Sequence, residues 1–119
     1  MRKSSALIFL IALLMFAATG CDASVACGEY VMVNADGPVT PTIVIKSNGT
    51  FRFDYFLVSG KYVSGGYSVN GDTLTLSGGG KTFVFTVDGD VLEFNSYKSS
   101  EINSLTEIPN SAQFVLDND

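Results

Sequence analysis

From Glu29 onward the chain alternates apolar and polar residues with a period of two, and short turn phrases interrupt the alternation at intervals. Alternation of this kind predicts strands with one buried face, and the turn phrases predict the hairpins joining them. Thr42 to Lys46 is β-branched and apolar, and Asn48-Gly49 leads into Thr50 to Val58. That second run places Phe51, Phe53, Tyr55 and Leu57 on one face. Its other face begins with Arg52 and Asp54 and then carries Phe56 and Val58. Gly60 to Val69 predicts a further strand with a bulge at Gly65-Gly66. Asn70-Gly71 turns the chain into Thr73 to Ser77, and Gly78-Gly79-Gly80 turns it into the Phe83, Phe85 and Val87 face. Asp88-Gly89 then leads to Val91 to Tyr97, with Leu92 and Phe94 inward.

Residues 98–111 are polar and serine-rich, which predicts an irregular segment in which Ile102, Leu105 and Ile108 form one short helical turn before Pro109. Phe114-Val115-Leu116 predicts a last strand closing the sheet. The fold class is therefore all-β: an antiparallel meander of seven or eight strands forming a barrel or a strongly curved sheet. Closure removes the exposed edges that invite aggregation.

Several phrases resemble the small lipocalin-like domains of bacterial lipoproteins. They are Gly28-Glu29-Tyr30, Ser47-Asn48-Gly49-Thr50-Phe51, Tyr67 to Leu74, and Gly89-Asp90-Val91-Leu92-Glu93-Phe94. Lipocalins carry Gly-x-Trp where this chain has Gly-Glu-Tyr, and the chain contains no tryptophan. The resemblance spans residues 28–96 and implies a small barrel; a shared fold does not by itself carry a function.

Upstream of the alternation the pattern changes completely. Arg2 and Lys3 precede an unbroken apolar run from Ala6 to Ala18. The run is shorter than the roughly 20 residues that span a bilayer, and it ends in small residues, as a secretory signal peptide does. Ala18-Thr19-Gly20-Cys21 resembles the lipobox of bacterial lipoproteins, with alanine where leucine is usual. The resemblance implies cleavage after Gly20 and a lipid thioether on Cys21. The expected organisation is a signal peptide over 1–20, a lipidated cysteine and short tether over 21–26, and a single β-domain over 27–119. Residues 22–26 extend to about 17 Å at most, which would hold the domain close to the membrane.

Without residues 1–20 the chain keeps 99 of its 119 residues, all twelve acids and five of seven basic residues, so its net charge moves from −5 to −7. That balance argues against nucleic acid and against electrostatic attraction to anionic lipid. The two cysteines, Cys21 and Cys27, leave two alternatives. Lipidation of Cys21 leaves Cys27 as a buried thiol; ordinary secretion lets the two close a small disulfide loop.

Motifs for chemistry are sparse. Gly80-Lys81-Thr82 ends like a phosphate loop, but Thr75 stands where that motif needs glycine, and a strand pattern follows instead of a helix. Asp72, Asp88 and Asp90 fall in hairpin turns, where aspartate is favoured on backbone grounds, without the close grouping of a calcium loop. The chain has no histidine, which removes Ser-His and Cys-His arrangements; a carboxylate pair such as Asp54 with Glu93 is the remaining hydrolytic option. No catalytic residue, metal or cofactor is expected. The aromatic set of Phe51, Phe53, Tyr55, Phe56, Tyr62, Tyr67, Phe83, Phe85 and Phe94 reads mainly as core. Phe56 and Val58 are candidates for partner contact, and Tyr62 and Tyr67 for pocket positions. The functional expectation is a non-enzymatic, lipid-anchored envelope protein outside the cytoplasm, attached to the membrane through Cys21. Its alternatives are a lipocalin-like carrier of a small apolar ligand, or an inhibitor or assembly factor acting on an envelope protein.

Overall fold

The computed structural model describes residues 25–56 and 61–117. Eight antiparallel strands form a closed barrel in simple sequence order: β1 (Gly28–Met32), β2 (Thr42–Ile45), β3 (Thr50–Asp54), β4 (Val63–Asn70), β5 (Thr73–Gly78), β6 (Lys81–Asp88), β7 (Val91–Asn95) and β8 (Gln113–Asp117). Closure is made by β8 against β1, with Tyr30 opposite Leu116 and Glu29 opposite Asp117. The Phe114-Val115-Leu116 cluster is thus the closing strand. No helix among the described residues is long and apolar enough to cross a membrane. The signal-peptide segment, Cys21, Leu57 and Val58 lie outside the described residues.

The up-and-down order gives the barrel two unlike ends. At one end lie the chain's entry into β1, the end of β8 and three tight turns: β2–β3, β4–β5 and β6–β7. Gly49, Gly71 and Gly89 take positive φ in these turns, the conformation for which Asn-Gly and Asp-Gly phrases are suited. At the other end lie the long connections 33–41, 55–62 and 96–112, together with the short Gly79-Gly80 turn.

Alternate residues of every strand point inward and fill the axis. Tyr30, Ile43, Phe51, Phe53, Leu74, Leu76, Phe83, Phe85, Leu92 and Phe114 are all essentially inaccessible. Phe53 sits at the centre, with edge-to-face contacts to Tyr55 (4.9 Å), Phe83 (5.1 Å), Phe85 (6.2 Å) and Phe114 (5.9 Å). Such geometry sets positive ring edges against negative faces and adds to the burial of large apolar area. Val25 is 1 % exposed and belongs to this core, so packing begins before Cys27. The Tyr30 hydroxyl donates to the Ala26 carbonyl (2.7 Å), tying the entering segment to the hairpin end.

Three local expectations are corrected. The run from Thr50 stops being a strand at Asp54, because the chain leaves the ladder at Tyr55. No bulge occurs at Gly65-Gly66: Gly66 pairs with both Thr50 and Ser77, and the register runs on without an extra residue. Gly65 serves close approach instead. A Cβ there would fall on the Ser77 carbonyl oxygen, and one on Gly78 would fall on the Ser64 carbonyl oxygen. Finally, residues 101–108 contain no helical turn; the short 3₁₀ turn lies at Ser96–Lys98, capped by the Asn95 side chain.

Gly65→Ala and Gly78→Ala are each expected to lower stability by about 1–3 kcal/mol or more through backbone overlap. Gly66→Ala, where a Cβ finds only ordinary contact at 3.7 Å, is expected to stay close to wild type. Urea midpoints of the three variants check this, and equal effects at positions 65 and 66 would contradict it.

Candidate functional site

The residues singled out in the sequence do not converge. Phe56 leaves β3 and stacks on Tyr55 with centroids 4.5 Å apart, half-buried against the core, while the Lys61 ammonium lies 5.2 Å from its ring. It is therefore not part of an outer strand face, which corrects the expectation. Tyr62 stands on the outside of the barrel under the Arg52 guanidinium, 4.1 Å from the ring centroid. Tyr67 packs against the core near the hairpin end, and its hydroxyl donates to the Lys46 carbonyl (2.9 Å).

The remaining candidates separate too. Asp54 and Glu93 sit on β3 and β7, which are not neighbours, and Asp54 instead approaches Arg52 at 3.7 Å. Asp72, Asp88 and Asp90 lie at the hairpin end, and among the described residues no group of three His, Cys, Asp or Glu is placed to hold a metal. Cys27 is disulfide-bonded, which matches the second of the two alternatives the sequence leaves open.

What the structure brings together is the loop end. The segment 96–112 laps over the barrel mouth, held by small polar side chains. Ser99 Oγ accepts from the Val84 N–H (2.8 Å), and Ser100 Oγ accepts from the Thr82 N–H (2.9 Å). These contacts satisfy β6 donors just beyond the point where β7 ends. Ser104 Oγ donates to the Tyr55 carbonyl (2.9 Å). Thr106 is the buried polar side chain of the cap: its Oγ1 accepts from the Val39 N–H (3.0 Å) and donates to the Val39 carbonyl. Gly37 packs directly on it, with no room for a Cβ. One hydroxyl thus fastens the 96–112 segment to the 33–41 loop. Periodicity carries no trace of these contacts, since irregular segments have none; the density of Ser and Thr in 99–106 is the available signal.

Beside the clasp lies an open cleft of about 360 Å³ between residues 32–36 and 107–113. Asp36, Glu107 and Gln113 give it polar walls, and Met32, Val33 and Pro109 an apolar floor. Asn34 (φ 57°) and Ser111 (φ 73°), both in its lining, are the two non-glycine residues with left-handed backbone among those described. Strained backbone of this kind is held in place by surrounding contacts and gathers at functional sites.

Among the described residues, the large apolar side chains left exposed are Val33 (38 %), Tyr62 (44 %), Leu105 (65 %) and Tyr97 (87 %). All four flank strand ends or lie in loops at the loop end. The hairpin end carries Asp72, Asp88, Asp90 and Asp117 with Lys46. Deep in the barrel, burial raises the Tyr30 hydroxyl pKa above its ordinary value near 10, with repulsion from Asp90 adding; burial alone raises that of Tyr55.

Comparison with protein-family models, with curated proteins and with solved structures finds no match.

Two outcomes are expected. Thr106→Val removes both bonds to Val39 and should cost about 1–3 kcal/mol in chemical denaturation, whereas Thr106→Ser, which keeps the hydroxyl, should cost much less. A phenol whose pKa is raised by folding is protonated in both states below the unfolded value. Stability should therefore be level up to about pH 10 and fall as pH rises through the folded values of Tyr30 and Tyr55. Tyr30→Phe should flatten that alkaline fall in a pH series of melts.

Proposed function

We propose that the protein is an exported, non-enzymatic binding module that offers its loop end to a partner in the cell envelope. The polarity of its surface carries this reading: exposed apolar side chains lie at the loop end, and aspartates crowd the end where the chain enters. Exposed apolar side chains concentrated at one end of a barrel suit contact with another protein. The filled axis speaks against the carrier alternative, because the rings around Phe53 occupy the space an apolar ligand would take. An inhibitor or assembly factor is thus the favoured form of the binding role.

The address is part of the proposal. The basic start, the Ala6–Ala18 run and Ala18-Thr19-Gly20-Cys21 support export and a lipid on Cys21. From such an anchor to buried Val25 the chain reaches about 14 Å, so the hairpin end would face the membrane and the loop end would point away. The disulfide at Cys27 favours a second reading, export without lipid. In a chain with two cysteines, an internal bond to Cys27 and a thioether on Cys21 exclude each other.

Intact mass of the mature protein separates the two. Added diacylglycerol mass and detergent partitioning, both lost in Cys21→Ser, are expected for the anchored form; a lipid-free mass two hydrogens below the dithiol identifies the released form. For the binding face, Tyr97→Ala with Leu105→Ser should reduce in-envelope crosslinking about tenfold or more, while Asp88→Ala should leave it unchanged. The reverse pattern would overturn the loop-end assignment.

A further inference from the structure

We infer that the outer wall of β3 and β4 holds a site for a phosphate-bearing group, bordering the loop-end face at Tyr62. The wall carries a groove of about 320 Å³ whose lining includes Lys46, Arg52, Tyr62 and Ser64 and no carboxylate. Beyond residue 20 the chain has five basic residues against twelve acids, so two cations lining one groove, offset in part by Asp54 beside Arg52, leave a locally positive patch on an otherwise acidic molecule. Electrostatic complementarity then selects an anion here and disfavours one elsewhere on the surface.

The groove is built by the ladder. Arg52 pairs with Ser64 across β3 and β4, which sets guanidinium and hydroxyl side by side on the outer face. Arg52 lies over the Tyr62 ring at 4.1 Å, which holds the planar fork flat and leaves its N–H edges available. Asp54 approaches one guanidinium nitrogen at 3.7 Å, beyond a good hydrogen bond, and both side chains remain well solvated. Arginine supplies a directed fork, lysine a point charge and serine a single hydroxyl. Donors of three kinds from three positions fit a tetrahedral oxyanion better than a planar carboxylate, which a single fork satisfies. The exposed part of Tyr62 offers a flat surface for the carbon portion of the ligand. The chemistry is shared by a soluble phosphate ester and a phospholipid headgroup.

Titration of the ¹⁵N-labelled mature protein with glycerol 1-phosphate tests the site. Saturable shifts confined to amides of 50–52 and 62–66 are expected, with a dissociation constant on the order of millimolar. Arg52→Gln should weaken binding about tenfold, whereas Lys98→Gln, beside the 3₁₀ turn, should leave it unchanged. Tyr62→Ala keeps the charges while releasing the fork, and should weaken binding less than Arg52→Gln. Co-sedimentation with phosphatidylglycerol against phosphatidylcholine vesicles separates the sources: Arg52-dependent retention on the anionic vesicles alone identifies a headgroup, and no retention with binding of the free ester identifies a soluble ligand. Absence of saturable shifts, shifts mapping to other strands, or equal binding of acetate would overturn the inference. The titration does not depend on whether Cys21 carries lipid, and co-sedimentation is read on lipid-free protein, because an acyl anchor would bind both vesicles.

Discussion

The barrel depends on a single packing constraint: the ring of Phe53 must be met edge-on by rings from strands that are not its neighbours. Phe83, Phe85 and Phe114 come from β6 and β8, across the axis from β3. An eight-stranded barrel has an interior just wide enough for side chains to fill, so these contacts define its diameter. Everything outside follows from that. With the axis full, recognition is left to the walls and the ends, and the chain spends its long connections at one end only.

The same constraint explains where glycine stands. Bulky rings inside push the wall outward, while β4 and β5 bring their backbones together at Gly65 and Gly78. Gly65 lies opposite Phe51 on β3, so a residue without a side chain faces one with a large one. Small beside large within one layer lets a short barrel close without a void.

This division also marks what the sequence could reveal. Alternation and Asn-Gly or Asp-Gly turns expose strands and hairpins directly, because both are local; Thr73 to Ser77 and Phe114 to Leu116 fall within strands as expected. The Gly65-Gly66 pair misleads, since a glycine doublet looks the same whether it relieves a bulge or a close crossing. Phe56 misleads because alternation was carried past Asp54, where the ladder had already ended. The clasp of Thr106 on Val39 joins positions 67 residues apart, with no periodic signature at either. The grouping of Tyr62 with Arg52 and Lys46 depends on strand register, which single runs do not disclose.

One feature of the topology bears on how the barrel comes to exist. β1 is the first strand along the chain and its second neighbour, β8, is the last. Every other pairing joins successive strands; this one waits for the entire chain. During synthesis the outer edge of β1 therefore stays open, with Tyr30 and Met32 lacking their partners on β8. Pairings between distant segments are the slow step in β-proteins, and an open edge in that interval is where misassembly starts. The docking of Val25 and the Tyr30 bond to the Ala26 carbonyl involve residues adjacent in the chain. They supply local order to the one strand that must wait.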